Sequence, residues 1–339
     1  MTDRRRCLVT GGAGFIGSHL VATLLARGDD VVVLDDLSSG KRENLDAAAA
    51  DAVEATFSAA TRERLEFVDG SLLDEAALAA AIDGVDAVLH QAAIPTVPRS
   101  FADPASTLRA NVEGTARLLE ACRRSGIRRI VMASSSSVYG DTPTLPKHES
   151  MPPAPLSPYA LSKLAGEQAG SIFVRTYALE VYALRYFNVF GPRQDPNSEY
   201  AAVVPRFITR MLAGEPPVIF GDGFQSRDFT FVSDVVAANL AALDAPPGAC
   251  FHALNIGANG RHTLLELVAI LREILGVELA PEHTDPRPGD VRDSYAAIDK
   301  AREVLGYAPA VSFEEGLQRT AAEEISRQRG RLKAYSSSS

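Results

Sequence analysis

Tyr159 and Lys163 stand four residues apart in SPYALSK (157–163). On a helix, positions i and i+4 share a face, so the phenol and the ammonium would point the same way. A free phenol ionises near pH 10 and is a poor base at neutral pH. A nearby positive charge favours the phenolate. Lowering that pKa by roughly 3 units corresponds to about 4 kcal/mol of differential stabilisation and makes a base usable near pH 7. More oxygens lie upstream in ASSSSVYG (133–140), where residues 134–137 are all serine. Serine runs are usually flexible spacers. This one follows Ile130, Val131 and Met132, which have the profile of a buried strand. A strand would deliver the hydroxyls to one place. A third set is TGGAGFIGSHL (10–20), with Gly11, Gly14 and Gly17 in a GxxGxxG frame. Small residues let the backbone approach a pyrophosphate, and a helix N-terminus behind them supplies amide donors. Asp35 follows Gly17 at the end of a second apolar run, where a carboxylate accepts from an adenine ribose 2′-OH and repels a 2′-phosphate. NAD is therefore expected over NADP. Lys41 and Arg42, behind that acid, read as a solvated loop.

The elements that must position these groups follow from the patterning. Short apolar runs at 6–10, 30–36, 65–70, 85–93, 128–134 and 179–192 read as strands. Helical stretches alternate with them at 15–26, 46–65, 72–82, 103–126 and 158–177. Asp103 is a helix cap followed by Pro104, and Gly126 lies past that helix's end. Continuous apolar strands alternating with helices indicate an α/β protein with a doubly wound, mostly parallel sheet. The texture changes after Gly191, where 192–230 is rich in Pro, Gly, Asn and Asp. Further helices are expected at 262–276 and 298–305, with a turn at 285–294. We read 1–190 as the dinucleotide-binding domain, with segments near 230–260 returning to it. Residues 191–333 read as a smaller substrate lobe, and 334–339 as a disordered tail.

Composition excludes several classes. A chain of 339 residues, 46% hydrophobic and 23% charged, has the balance of a globular protein with a large core. Its net charge of −9 makes nucleic acid a poor partner. Cys7, Cys122 and Cys250 are far apart and lack His at ligand spacing, so neither disulfides nor a metal site is expected. No run of about 18 apolar residues suggests a membrane span, and a cytoplasmic location is expected.

TGGAGFIG, SSSSVYG, YALSK and RYFNVFGP together resemble the extended short-chain dehydrogenase/reductase family, and within it the UDP-hexose 4-epimerases, over nearly the whole chain. The resemblance implies a Rossmann-type fold with a C-terminal α/β substrate lobe. It also implies NAD as cofactor and a homodimer formed through helices 103–125 and 158–177. The catalytic hydroxyl of the family lies three residues before VYG, which is Ser135, acting with Tyr159 and Lys163; Ser134 is expected to support the backbone or the cofactor. The similar 4,6-dehydratases carry an Asp-Glu pair in the next two places and the decarboxylases a Glu in the second. Here both are serine, Ser136 and Ser137, which leaves redox at C4 without elimination. Cofactor contacts are implied for Gly11, Gly14, Phe15, Ile16 and Gly17, and for Asp35 and Asp36. The same holds for Ser71 and Leu72, for Gln91, Ala92 and Ala93, and for Asn111 and Tyr186. Ser71 stands where the family often has an Asp facing adenine.

For the nucleotide sugar, the resemblance implies contacts from Ser135, Ser136, Asn188, Ala202 and Val203. It adds Val218, Phe220, Arg227, Arg287 and Asp290, with the two arginines clamping the diphosphate and Asp290 accepting from a ribose hydroxyl. The residue gating the sugar 2-position corresponds to Ser294, with Tyr295 one step later. A small residue there leaves room for an acetamide. UDP-GlcNAc and UDP-GalNAc are therefore expected as substrates, with UDP-Glc and UDP-Gal also accepted. Alternatives are a UDP-glucuronate 4-epimerase, in which Arg99 meets the carboxylate, and a nucleotide-sugar oxidoreductase with exchangeable NAD.

Overall fold

The computed structural model describes residues 4–56, 58–196, 202–248, 250–286 and 291–336. Its centre is a seven-stranded parallel sheet. Six strands come from the first part of the chain: β1 (Arg6–Thr10), β2 (Asp30–Asp35), β3 (Leu65–Asp69), β4 (Ala87–His90), β5 (Arg129–Ser135) and β6 (Glu180–Tyr186). The seventh, Cys250–Ile256, pairs with β6 at one edge. Across the sheet the order runs Cys250–Ile256, β6, β5, β4, β1, β2, β3. The winding direction reverses between β1 and β4, which opens a crevice at their C-terminal ends, where open α/β sheets bind ligands.

The strands read as unbroken apolar runs because both faces are covered. Cys7 and Val9 face one core, with Val31 and Val33; Leu8 faces the other, with Val32 and Leu34. This is the two-residue alternation of a strand buried on both sides. The first face is covered by α1 (Phe15–Arg27), α2 (Arg42–Thr56) and the helix Val232–Asp244. The second is covered by α3 (Glu75–Ile82) and by the helical stretch that follows β4. That stretch is broken into α4 (Val97–Ala102), α5 (Pro104–Leu108), a π-helical turn Arg109–Glu113 and α6 (Gly114–Arg124). The carboxylate of Asp103 accepts the amide of Ser106, as expected of a cap. The helix α7 (Pro158–Tyr177) is capped by Ser157, which accepts the amide of Ala160.

The second lobe has its own core, in which the Phe229 and Phe313 rings stack at 4.9 Å and Phe190 meets both edge-on. Two features differ from expectation. The stretch 192–230, read as loop, contains the helix Val203–Leu212, whose Val204, Phe207, Ile208 and Met211 are buried at helical spacing. Of the tail read as disordered from 334, residues 334–336 end the helix Phe313–Ser336, and 337–339 lie outside the described residues.

Candidate active site

The crevice is a cleft of about 1130 Å³. Gly11 forms the turn leaving β1 at φ +69, and a Cβ there would lie 2.7 Å from the Ala92 amide nitrogen. Gly17 lies on the first turn of α1, and a Cβ there would meet the Gly11 carbonyl at 2.1 Å. Both positions require glycine so that turn, helix and the β4 loop can close on one another. Gly14 begins α1 without a side-chain cap, so the first-turn amides of the helix face the cleft uncapped by protein. That is an anion cradle, and the residues fit a dinucleotide pyrophosphate.

Asp35 ends β2 almost fully buried. Its two oxygens accept the amides of Ala13 and Leu37, both at 2.9 Å, and burial raises its pKa. An ionised carboxylate offers about four acceptor sites, so two remain for ribose hydroxyls. Asp36 is exposed at the rim and accepts the Ser38 amide. The two nearby cations are engaged by protein: Lys41 pairs with Asp195 at 2.7 Å, and the Arg42 guanidinium lies 4.1 Å over the Phe67 ring. Phe15 and Ile16 line the cleft, as do Ser71, Leu72, Gln91, Ala92, Ala93 and Tyr186. Asn111 differs. It is buried outside the lining, where its Oδ1 accepts the Ile94 amide at 2.7 Å and its Nδ2 donates to the Ile94 carbonyl and to Ser162 Oγ. It fixes the loop after β4 from behind, and the π turn that carries it provides the extra rotation.

At the end of β5 the run of four serines divides. Ser135 Oγ lies 2.6 Å from Ser137 Oγ, on the side of the strand end that faces Tyr159. Lys163 Nζ donates to the Ala133 carbonyl at 3.0 Å and sits 5.8 Å from the Tyr159 ring centroid. Strand β5 thus presents its serine to the helical face that carries Tyr159 and Lys163. Burial raises the Tyr159 pKa, and the nearby Ser135 hydroxyl opposes that rise. Burial lowers the Lys163 ammonium to about 8. The tyrosine therefore depends on local positive charge to become a base. Ser134, expected to serve backbone or cofactor, instead points into the floor and donates to Glu167 at 2.5 Å. Glu167 holds Arg185 in a two-pronged pair, Arg185 Nη1 donates to the Tyr139 hydroxyl, and that hydroxyl donates to Asn255. A buried pair this well satisfied holds one geometry.

Several supporting residues carried no sequence signal. His90 is buried at the end of β4 between Thr10 and Thr115. Thr115 spends its proton on the Asn111 carbonyl, so His90 Nε2 donates to Thr115 and Nδ1 accepts from Thr10. Burial and the charge of Lys163 push His90 down to about 3, so it stays neutral. Asn239 joins the Tyr186 hydroxyl and Gln91 at the cleft floor. Asn239 lies far in sequence from the motifs it serves.

Of the expected sugar residues beyond the serine run, Ala202 lines the cleft, and Asn188, Val203, Val218, Phe220, Arg227 and Ser294 lie outside its lining. Ala202 lines the cleft and caps the helix that Val203 begins. Val218 and Phe220 bound a short strand, with Arg206 5.7 Å over the Phe220 ring. Asn188 donates weakly to the Asp228 carbonyl, and Arg227 Nη1 donates to the carbonyls of Ser226 and Arg292. Ser294 is buried, its amide held by the Ser226 carbonyl at 3.0 Å. Tyr295 donates to Asn259 Oδ1 at 3.0 Å. Asp228 organises this region. It is fully buried, accepts the amides of Ala258 and Ala296, and is pushed up to about 6 by burial. Arg287 and Asp290 lie outside the described residues.

A parallel doubly wound sheet with a glycine cradle, an acidic strand end and a Ser/Tyr/Lys cluster defines a dinucleotide-dependent enzyme acting on a carbinol carbon. The comparisons agree. Residues 7–257 match the model of the NAD dependent epimerase/dehydratase family. The chain is 42% identical over 322 residues to the UDP-glucose 4-epimerase of Mycolicibacterium smegmatis, covering 93% of this chain and 97% of that one. Among solved structures, the UDP-N-acetylglucosamine 4-epimerase of Methanobrevibacter ruminantium, in complex with UDP-N-acetylmuramic acid, superposes with TM-score 0.88. It is 38% identical, over 96% of this chain and 99% of that one. The Bacillus cereus UDP-glucuronic acid 4-epimerase, with UDP-glucuronic acid and NAD, gives 0.83 at 33% identity, over 94% and 98%. This chain belongs to the NAD dependent epimerase/dehydratase family. It is an enzyme, it uses NAD, and its activity is that of a UDP-hexose 4-epimerase.

Proposed function

We propose that the protein interconverts UDP-GlcNAc with UDP-GalNAc and, in the same pocket, UDP-Glc with UDP-Gal. The observation that carries the acetylated sugars is at 294–295. The small Ser294 is drawn against Ser226, while the Tyr295 hydroxyl is engaged by Asn259. A serine in the gate leaves room for a 2-acetamido group, and the likeness to a UDP-N-acetylglucosamine 4-epimerase supports the same reading.

NAD, when bound, supplies a hydride acceptor at C4 and returns the hydride. The chain's residues do the rest. Gly11, Gly14 and Gly17 with the α1 amides hold the pyrophosphate, and Asp35 the adenine ribose. Tyr159 takes the proton of the sugar 4-OH. Ser135 hydrogen-bonds that oxygen and passes the proton between it and Tyr159. Lys163, fixed on the Ala133 carbonyl, supplies charge that favours the phenolate. The 4-keto sugar turns over in the pocket and is reprotonated by Tyr159 after return of the hydride to the other face. Ser136 and Ser137 provide no carboxylate to remove water. Asn188, Phe220 and Arg227, with Arg287 and Asp290, take the UDP.

A UDP-glucuronate substrate has one observation in its favour: Arg99 lines the cleft, exposed, in no ion pair among the described residues. A product assay with UDP-Glc, UDP-GlcNAc and UDP-GlcA side by side decides between them. Turnover of UDP-GlcA alone overturns the first reading. For the assembly, α7 exposes Leu161 and Ile172, eleven residues apart on one face and each about half accessible. A second copy of this chain covers that face as a homodimer. Leu161→Glu with Ile172→Glu should yield monomers by light scattering; an unchanged mass sinks that interface.

A further inference from the structure

An epimerase returns its hydride within each turnover, so release of the cofactor between turnovers serves no purpose. One stretch of chain crosses from the second lobe to the cofactor side. It is Pro192–Asp195, which follows the strand Val189–Phe190. Arg193, Gln194 and Asp195 line the cleft together with Phe15 and Gly17 of α1 and residues 35–41 after β2.

The stretch is pinned at one end. Arg193 sits at φ +63, an unfavourable conformation for a residue with a side chain. Its side chain is only 9% exposed. Nη1 donates to the Ser18 carbonyl at 3.2 Å, and Nη2 to His19 Nδ1 at 2.7 Å and to Asp51 at 3.2 Å. The Arg193 amide donates to Glu323 at 3.0 Å. His19 completes the join. Its Nε2 lies 2.9 Å from the Pro192 carbonyl, which can only accept, so Nε2 carries the proton and Nδ1 accepts from Arg193. Burial and the Arg193 charge push His19 down to about 3, which keeps this neutral form. The His19 ring meets Phe15 edge-on at 5.9 Å. The helix that begins at the glycine cradle is thus bonded directly to chain arriving from the second lobe.

The other end is held differently. Asp195 pairs with Lys41 at 2.7 Å, both side chains partly exposed. The Lys41 amide donates to the Ala13 carbonyl at 3.0 Å, which anchors Lys41 on the glycine turn. An exposed ion pair is weak and screened by salt, so this end opens more readily than the buried one.

We propose that Pro192–Asp195 is a strap that retains NAD. Arg193 and His19 are the positioning residues of its fixed end, and the Lys41–Asp195 pair is the latch whose opening lets the cofactor leave. The inference is independent of which UDP-hexose is the substrate.

Exchange of bound NAD for isotope-labelled NAD, followed in the loaded full-length enzyme, tests both ends. Lys41→Ala should speed release roughly two- to fivefold, and Asp195→Asn by a similar factor. The double variant should be no faster than either single one, because both remove the same contact. Lys41→Arg keeps the pair and should release NAD at the parent rate. Added salt should speed release from the parent more than from the double variant. Melting temperatures of the latch variants should match the parent. At the fixed end, Arg193→Lys keeps the charge but loses the fork, and should speed release roughly tenfold or more. If Lys41 instead held the cofactor phosphates directly, Asp195→Asn would slow release by removing a competing anion. That result, additive effects of the two latch variants, or an Arg193→Lys enzyme that releases NAD at the parent rate overturns the proposal.

Discussion

The cofactor side of the cleft and the segments proposed to take the nucleotide sugar are built by opposite means. The cofactor side is local: Gly11, Gly14, Gly17 and Asp35 come from one strand–turn–helix–strand unit, locked by close backbone contact. The sugar side is assembled from distant short pieces, among them Ser226–Arg227, Val218–Phe220 and the segment around Ser294, tied by the buried carboxylate of Asp228. A rigid local unit suits a cofactor that must stay put. A wall made of separable pieces suits a sugar that must enter, turn over and leave.

Between the two sides stands Tyr159, and Tyr159→Phe should be the most damaging change. We expect kcat to fall roughly 10²–10⁴-fold, with NAD content and melting temperature unchanged. Turnover at the parent rate would remove the tyrosine from the chemistry. Next in size, Ser294→Tyr should cost about 10²-fold in kcat/KM for UDP-GlcNAc and little for UDP-Glc. Equal loss on both sugars would refute the gate, and reduced NAD content would show the two sides are not independent. Gly17→Ala tests the other side. Its Cβ has no space against the Gly11 carbonyl, so roughly 1–3 kcal/mol of stability should be lost, with NAD affinity down at least about tenfold. A Gly17→Ala protein that keeps its NAD would mean the turn relaxes freely. Asp228→Asn should sharpen the contrast: it turns an acceptor into a donor facing a backbone amide, costing about 1–3 kcal/mol in thermal denaturation. Affinity for UDP should weaken while NAD binding holds.

The smallest effect expected is on pH. With Lys163 near 8, its charge is present below that value and lost above it. Support for the Tyr159 phenolate therefore fades as pH rises through about 8, and kcat should decline on that side. Lys163→Arg, which does not titrate, should abolish the alkaline limb even if the maximum rate is lower; a limb that persists assigns it to another group.

Much of the cofactor side was legible in the sequence because its determinants are short-range. Turn geometry needs glycine at fixed offsets, a strand end needs its acid in register, and Tyr159 with Lys163 needs only helical spacing. What was not legible depends on chain segments meeting. Asn111 reads as a cofactor contact, yet it faces Ile94 and Ser162 from behind the loop. Ser134 reads as backbone or cofactor support, yet alternation along β5 turns it down onto Glu167. His90, Asn239 and Asp228 carry no spacing signal, because, apart from the Asn239 bond to the Val235 carbonyl on its own helix, the partners cited for them lie at least 20 residues away. The helices Val203–Leu212 and Phe313–Ser336 escaped because the first lies within turn-rich sequence and the second ends in a serine run.

By itself, the sequence determined the parallel α/β class, the glycine turn, the use of NAD and the shared helical face of Tyr159 and Lys163, since local backbone sterics and helical periodicity enforce them. Only the tertiary structure decided which way each serine turns and what holds Ser294 in place. Those depend on the register of β5 against its neighbours and on buried polar groups that must find partners, wherever in the chain those partners lie.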